Sequence, residues 1–326
     1  MQEGASGLFR TIFIGHDTGG NGTVTVSGGY LGGSNGFVVG FLGGTGLLTI
    51  TGGTADVVLN GMSVGVSGGT GTVNVAGGTL TTSIGATVGL GFGGGTGTLS
   101  VTSGTASITG LFLDQGTLSL SGGLLATGSI TASANSLLFF SGGTLQALAD
   151  APAFITGGNP VLAGAGLTED TAGFDVTIGQ NLTGTGDLTK AGEGRLTLTG
   201  TNSYTGASQV QAGTLQFGQR ASLYNSATAS WTATNLTVSN GATLALNVGG
   251  TGEFTPADIA QLAALGTSTG GFTSGARLGL DTTNAPEGIF TYNGALNNPN
   301  GGANRLGLVK LGEGTLVLSN SLQAST

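Results

Sequence analysis

The sequence repeats a glycine-rich unit at a nearly constant interval, and this interval constrains the fold more than any other feature of the chain. Each full copy opens with a Gly-Gly-x-Gly segment and continues through alternating residues to a second glycine corner. The copies begin at Gly19, Gly43, Gly68 and Gly94, so that each start follows the previous one by almost the same step. A shorter copy follows at residues 116–123, and residues 141–145 repeat its end. Such a period predicts a stack of similar units.

Apolar and polar residues alternate inside each copy, which is the pattern of a strand with one buried face. The apolar face carries Val24 and Val26, Leu48 and Ile50, Val73 and Val75, Leu99 and Val101, and Leu118 and Leu120. Apolar residues recur in register at two further places: after the glycine corner, as at Leu31 and Leu80, and before the next copy, as at Ile14 and Val64. This pattern predicts three short strands in each repeat unit.

Units of this kind cannot bury their apolar faces alone, so they must stack, and the stacking creates the core. Glycine makes up 69 of the 326 residues, and it suits the corners because sharp turns need positive φ and close backbone approach. Parallel crossovers are almost always right-handed. We therefore predict an all-β fold: a right-handed, single-stranded parallel β-helix, or β-solenoid, with about three short strands per coil of about 24 residues. An antiparallel sandwich would not explain why matching residues recur one coil apart.

The charge and cysteine content of the chain argue against several classes of protein. The sequence has 7 basic and 15 acidic residues, a net charge of −8 and no cysteine. We expect no nucleic-acid partner, because such proteins replace phosphate counterions with basic side chains. A disulfide framework and a thiolate metal site both require cysteine. Glycine interrupts every apolar run before it reaches the roughly 18–20 residues of a membrane helix, so we expect no membrane insertion by this segment.

Charged residues and prolines become more frequent near residue 150, and the coil repeat loses its regularity there. We predict regular glycine-rich coils over residues 1–149, irregular coils over residues 150–179, and renewed β-helix over residues 180–326.

One short helical insert is expected near residues 256–265. Thr255 can cap its first turn, Pro256 fits the first helical position, and Asp258 complements the helix dipole. Gly266 would end the helix. We expect the helix to lie against the stack of coils.

Residues 186–217 contain about a dozen residue types at a fixed spacing. In order, these are Leu188, Lys190, Gly192, Gly194, Leu196 and Leu198, then Asn202, Tyr204 and Gly206, then Gly213, Thr214 and Leu215. A second copy, in residues 306–320, begins with Leu308 and Lys310 and is truncated at Asn320. The pattern resembles the autotransporter-associated β-strand repeat of bacterial passenger domains.

The resemblance implies an exported β-helix, located outside the cell or on the bacterial outer surface, that acts as a stalk or an adhesive surface. Its partners would be a host cell, the extracellular matrix or a glycan surface. The amino-terminal segment through Ile14 lacks the pattern of a signal peptide. We therefore expect an internal segment of a longer surface protein, or a cargo exported by another route.

Glu169, Asp170 and Asp175 form the closest cluster of carboxylates, and we treat them as a candidate ligand loop. Carboxylates that converge on one outer groove of a β-helix can act as an acid/base pair or bind calcium. The competing interpretation is an ordinary solvated loop. Because function depends on the site and not on the fold, the cluster needs a structural test.

Other motifs favour structural roles. The chain's one histidine, His16, adjoins Asp17, and we interpret the pair as a surface turn. Gly89, Gly91 and Gly94 match the dinucleotide fingerprint, but no helix or downstream acidic partner completes the motif.

The charged and aromatic residues of the second half favour similar interpretations. Lys190 with Glu193, and Lys310 with Glu313, are interpreted as charged residues on exposed turns or at a sheet edge. We expect Tyr204 and Trp231 to be packing residues.

We predict a non-enzymatic β-helical stalk or adhesin segment of a bacterial surface or secreted protein, with no catalytic residues, no cofactor and no bound metal. Two alternatives stay open. One is a carbohydrate-active β-helix that binds or cleaves polysaccharide around residues 150–180. The other is a self-associating fibre or filament subunit, since the ends and edges of a solenoid can template further strands.

Overall fold

Strands of successive coils pair side by side, and every strand pair with an assigned register is parallel. The structure is a computed structural model that describes residues 6–320. It confirms the predicted β-solenoid. By its internal contacts the chain divides into unit 1, Met1–Thr168, and unit 2, Glu169–Thr326. The division falls inside residues 150–179, and the boundaries at 150 and 180 stay predictions.

Unit 1 is built almost entirely of strands. They are β1 (Ser6–Phe9), β2 (Ile12–His16), β3 (Asn21–Val26), β4 (Tyr30–Gly33), β5 (Phe37–Phe41), β6 (Thr45–Ile50), β7 (Thr54–Val57), β8 (Met62–Val66), β9 (Thr70–Thr82), β10 (Val88–Phe92), β11 (Thr96–Ile108), β12 (Leu111–Leu113), β13 (Gly116–Thr127), β14 (Ile130–Ala132), β15 (Leu137–Ala147), β16 (Ala151–Thr156) and β17 (Asn159–Leu162). Strand β18 (Leu167–Asp170) spans the division between the units.

Unit 2 combines strands with short helices. Its strands are β19 (Asp175–Ile178), β20 (Thr183–Gly184), β21 (Leu188–Ala191), β22 (Arg195–Leu198), β23 (Ser208–Val210), β24 (Thr214–Phe217), β25 (Leu236–Val238), β26 (Thr243–Asn247), β27 (Gly271–Phe272), β28 (Arg277–Asp281), β29 (Ile289–Tyr292), β30 (Gly307–Leu311) and β31 (Thr315–Leu318). Its helices are α1 (Pro256–Ala263) and the 3-10 turns Arg220–Ser222, Tyr224–Ser226, Thr228–Ser230, Pro286–Gly288 and Asn300–Gly302.

Each unit contains two long parallel ladders of strands. In unit 1, one ladder follows the order β1, β4, β7, β9, β11, β13, β15, and the other follows β2, β5, β8, β10, β12, β14, β16. In unit 2, the ladders are β21, β23, β25, β27 and β19, β22, β24, β26, β28, β30, and β29 pairs with β31.

The early coils have three strands, as predicted: β5, β6 and β7 complete one coil before β8 begins the next. In the next four coils the second and third strands join into the single strands β9, β11, β13 and β15, which have 11 to 13 residues.

The core of unit 1 is a set of columns of apolar side chains, one residue per coil. Leu48, Val73, Leu99, Leu118 and Leu138 occupy successive positions of one column and are at most 1% exposed. Burial of each such side chain stabilises the fold by about 1.5–3 kcal/mol. The alternation visible in the sequence is therefore the direct source of the core.

Glycine serves two different purposes at the corners of unit 1. At Gly123, φ is +65°, and a Cβ would lie 2.6 Å from the carbonyl oxygen of Gly104 in the preceding coil. At Gly94, φ is +77°, but a Cβ would meet nothing within 4 Å. Gly123 therefore allows both a left-handed backbone and close stacking, whereas Gly94 allows only the left-handed backbone.

Coil length varies while strand pairing persists. Ile12 pairs with Phe37, whereas Leu111 pairs with Ile130, so the later coil is clearly shorter. In unit 2, Thr243 pairs with Arg277 across a coil longer than either, and the additional residues include α1.

Helix α1 begins as the sequence predicts. Thr255 Oγ1 accepts a hydrogen bond from Asp258 N at 3.2 Å, and Asp258 Oδ2 accepts one from Thr255 N at 2.9 Å, which forms a capping box. Asp258 also accepts from Arg220 Nε at 3.1 Å. The helix ends at Ala263, slightly before the predicted end, and buries Ile259 and Leu262 in unit 2. Among the described residues, no helix is long and apolar enough to cross a membrane.

Candidate functional site

The three predicted site carboxylates occupy different environments. Glu169 and Asp170 are neighbours on β18, and Asp175 is the first residue of β19. Glu169 is completely buried, Asp170 is half-buried and Asp175 is exposed. Because adjacent residues of a strand face opposite sides, Glu169 points into the core while Asp170 points outward.

Glu169 faces Lys190 of the neighbouring strand β21 inside unit 2, and both side chains have no exposed surface. Lys190 Nζ donates hydrogen bonds to the carbonyl oxygens of Ala191 at 2.8 Å, Gly192 at 2.7 Å and Ala212 at 3.3 Å. Neither carboxylate oxygen of Glu169 has a hydrogen-bond partner among the described residues. The prediction that Lys190 lies on an exposed turn is wrong, because its ammonium group binds the turn's carbonyls from within.

Burial dominates the ionisation of both groups. It raises the pKa of Glu169 well above its ordinary value, and the positive charge of Lys190 offsets only part of this effect. Burial also lowers the pKa of Lys190 to about 8, against the attraction of Glu169 and other nearby carboxylates. Because burial disfavours the charged form and no described group donates a hydrogen bond to either oxygen of Glu169, the fold favours the protonated, neutral form of this side chain.

Asp170 has a structural role that recurs in the second repeat copy. Its Oδ1 accepts a hydrogen bond from Ala172 N at 2.9 Å and occupies the space where a side chain on Gly192 would lie. Asp281 Oδ1 makes the corresponding contacts, accepting from Thr283 N at 3.0 Å and filling the space beside Gly312. In both copies the first glycine after the lysine is therefore required by an aspartate of the preceding coil.

Lys310 makes the same local contact as Lys190 but from the surface. Its Nζ donates to Gly312 O at 2.5 Å, and the side chain is exposed, as predicted for this copy. The interior position opposite Lys310 carries Leu280, whereas Lys190 faces Glu169. The buried acid is therefore a feature of the first copy alone.

Asp175 forms a surface ion pair with Arg195. Arg195 Nη2 donates to Asp175 Oδ2 at 2.8 Å, and Arg195 N donates to Oδ1 at 3.0 Å. Both side chains are well exposed, so the pair contributes little stability.

The three carboxylates therefore do not converge on one groove. No group of three or more His, Asp or Glu side chains within residues 6–320 is arranged to hold a metal ion.

The turn that follows β22 connects three coils through Asn202. Its Oδ1 accepts from Leu182 N at 2.9 Å, and its Nδ2 donates to Ser222 O at 2.8 Å. Leu182 and Ser222 lie 20 residues before and after it. A buried amide thus satisfies backbone groups of the coils on either side, which explains the asparagine of the repeat.

Tyr204 and Trp231 are both buried, as expected for packing residues. The Tyr204 hydroxyl contacts Ser208 Oγ at 2.6 Å, and Ser208 Oγ contacts the Tyr224 hydroxyl at 2.9 Å. Trp231 Nε1 donates to Leu223 O at 3.3 Å. These rings are not available as platforms for a ligand.

His16 and Asp17 lie at the end of β2 and on the turn that follows. His16 Nδ1 is 2.8 Å from Asp17 Oδ1, and both side chains are exposed. The His16 ring packs against Phe13 and Phe41, with centroids 5.3 and 5.1 Å away. The arrangement agrees with the interpretation as a surface turn.

Comparison with known families identifies the two repeat copies. Residues 188–217 and 308–325 match the family model of the passenger-associated-transport-repeat. No curated protein and no solved structure matches the chain.

Proposed function

We propose a structural role for this chain, from the premise that its two passenger-associated-transport-repeats and its parallel β-solenoid fit an autotransporter passenger domain. In this proposal the chain is a non-enzymatic stalk or adhesin segment that a bacterium displays on its surface or secretes. The family resemblance supports an extracellular or surface location.

One observation supports the non-enzymatic part of the proposal: each of the three candidate carboxylates is either enclosed in the core or bound to another group of the fold. Glu169 is enclosed in the core, where a polymer substrate has no access. Asp170 binds the backbone of its own turn, and Asp175 pairs with Arg195. A glycoside hydrolase needs two carboxyl groups that face one scissile bond.

The surface location is tested by labelling intact cells that produce the complete natural protein with antibodies raised against this chain. We expect labelling without permeabilisation, and loss of the epitope after brief protease treatment of whole cells. Labelling that requires permeabilisation would refute the display proposal.

The absence of activity is tested by incubating the chain with pectin, alginate, xylan and β-glucan and measuring reducing ends and unsaturated uronates. We expect no product above that of heat-denatured protein. Product that disappears in the Glu169→Gln or Asp175→Asn variant would favour the carbohydrate-active alternative.

A further inference from the structure

The outer face of the second ladder of unit 2 carries an open groove that the repeat motif does not explain. The groove has a volume of about 440 Å³, a size typical of ligand sites. Its main polar side chains are Arg195, Thr197, Gln216, Asn247, Asp281 and Thr283. They come from β22, β24, β26 and β28 and from the turn after β28.

Gln216 lies at the base of the groove and is unusual for an outward-facing residue. Its neighbours Leu215 and Phe217 point into the core, so Gln216 points away from it, yet it is only 4% exposed. Its Nε2 donates to Asn247 Oδ1 at 2.6 Å and to Asp281 Oδ2 at 2.8 Å. Its Oε1 has no hydrogen-bond partner in the described part of the chain, and a buried acceptor without a partner is costly.

Asp281 is held as a carboxylate in this groove. Burial raises its pKa, but hydrogen bonds from Thr283 and Gln216, with the charge of Arg195, outweigh burial and hold the pKa below its ordinary value. Thr283 donates from both N, at 3.0 Å, and Oγ1, at 2.6 Å. Asp281, Gln216 and Asn247 therefore form a fixed polar base.

Around this base, several groups have unused hydrogen-bonding capacity. Within residues 6–320, the Thr197 hydroxyl and Asn247 Nδ2 make no hydrogen bond, and both side chains are half-buried at the groove wall. Thr197 pairs in register with Gln216, and Asn247 with Asp281. Neighbouring strands lie about 4.8 Å apart, so donors and acceptors repeat along the groove at about that spacing.

The chemistry of the groove selects the kind of ligand. Arg195 is balanced by Asp175 and Asp281, and the carboxylate of Glu313 also lines the groove, so the groove offers no excess positive charge to a polyanion. The Gln216 N–H group already occupies the space between the oxygens of Asn247 and Asp281, which disfavours a cation there. Interleaved donors and acceptors suit hydroxyl groups, because each hydroxyl both donates and accepts.

We propose that this groove binds an uncharged, linear polysaccharide, whose ring hydroxyls contact Thr197, Asn247 and the base around Gln216. The spacing of the strands is close to the length of one sugar ring in an extended chain, so successive sugars would face successive coils. This inference rests on the proposed adhesin function and names the class of its ligand.

The test uses the whole chain and immobilised β-1,4-glucan, β-1,3-glucan, xylan, mannan and galactan, with polygalacturonate and heparin as polyanionic probes. Binding is measured by biolayer interferometry for the natural chain, Thr197→Val, Asn247→Ala and the double variant. The matched control is Thr98→Val, which removes a half-buried outward hydroxyl from β11 in unit 1.

We expect the natural chain to bind at least one neutral polysaccharide, each groove variant to bind about 3- to 10-fold more weakly, and Thr98→Val to bind normally. Circular dichroism confirms folding, and Thr197→Val, which keeps the side-chain shape, decides the result if Asn247→Ala does not fold. Binding only to polyanions, binding unchanged in both groove variants, or no binding to any neutral probe would overturn the inference.

These outcomes are separate from those of the proposed function. If antibodies label intact cells but the groove variants bind polysaccharide as well as the natural chain does, the inference about the groove is refuted and the proposed surface display is retained. If the groove variants lose glycan binding but the protein is found inside the cell, the proposed surface display is refuted and the inference about the groove is retained.

Discussion

Substituting alanine for glycine at two corners of unit 1 separates the two reasons for which this chain uses glycine. Gly123 and Gly94 are both exposed and both have φ between +65° and +77°. They differ in what a side chain would meet. At Gly123 a Cβ would lie 2.6 Å from Gly104 O and 2.8 Å from Ser103 C, whereas at Gly94 it would meet nothing within 4 Å.

The magnitudes follow from this geometry. A left-handed backbone costs an L-residue about 1–2 kcal/mol, and the reduced entropy of the unfolded chain returns about 0.4–1 kcal/mol, so Gly94→Ala should cost about 1 kcal/mol. At Gly123 the same strain applies, and the Cβ would be about 0.7 Å closer to oxygen than the ordinary limit of about 3.3 Å. Displacing the coil adds about 1–3 kcal/mol, for a total of about 2–4 kcal/mol.

The assay must report on unit 1, because the chain's one tryptophan, Trp231, lies in unit 2. Hydrogen exchange measured by mass spectrometry on peptides from β11, β13 and β15 gives the local free energy of opening. The difference of about 1–3 kcal/mol means that exchange in these peptides should accelerate about 5- to 150-fold more in Gly123→Ala than in Gly94→Ala, since about 1.4 kcal/mol corresponds to a factor of ten. Equal acceleration in the two variants would refute the argument that close stacking dictates glycine at this corner.

Four further substitutions test unit 2. Glu169→Leu should raise the free energy of unfolding, and urea titrations should show that this gain grows between pH 4 and pH 7. The reason is that the raised pKa of Glu169 in the folded state makes the natural chain lose stability as pH rises. A gain that does not depend on pH would contradict a buried acid at this position. Lys190→Met should lower the free energy of unfolding by about 2–4 kcal/mol, because it leaves three carbonyl groups without a donor. Lys310→Met, the exposed counterpart, should lower it by less than about 1 kcal/mol. Equal shifts in the urea midpoint of the two variants would disprove the difference between the buried and the exposed lysine. Thr255→Ala should lower the free energy of unfolding by about 1 kcal/mol, because it removes the amino-terminal cap of α1. The change is measured from the unfolding transition in tryptophan fluorescence, and an unchanged transition would show that the cap does not stabilise unit 2.

The solenoid and its core could be predicted from the sequence because the relevant signal is local and repeated. Strands alternate with a period of two, so Leu48, Val73 and Leu99 identify the buried face, and the interval between copies identifies their stacking partners. The start of α1 was equally visible, because Thr255 and Asp258 are close in the sequence and contact each other directly.

The burial of Lys190 was not predicted, because lysine is almost never fully buried unless its charge has partners. Lys190 occupies the same strand face as Leu188, and that phase alone places it inside. Its burial is tolerated because Ala191, Gly192 and Ala212 turn their carbonyls toward it. The sequence does not show that these carbonyl groups meet at Lys190, since Ala212 belongs to the next coil and only the fold brings it close.

The groove was also beyond the reach of sequence patterns. Gln216, Asn247 and Asp281 come from three successive coils of unequal length, and only the pairing of those coils brings them to one place. Because these coils differ in length from one another and from the early copies, the repeat interval of the sequence does not indicate which of their residues share the groove.

The tolerance of unequal coils has an evolutionary consequence. Leu244 and Leu278 remain paired across the coil that contains α1, although the helix and its flanking loops lie between them. Insertions at such a corner leave the neighbouring strands in register and are exposed to selection without endangering the core. The corner can therefore change in sequence and length, and an engineer can graft a foreign peptide there, while the paired strands on either side keep their register.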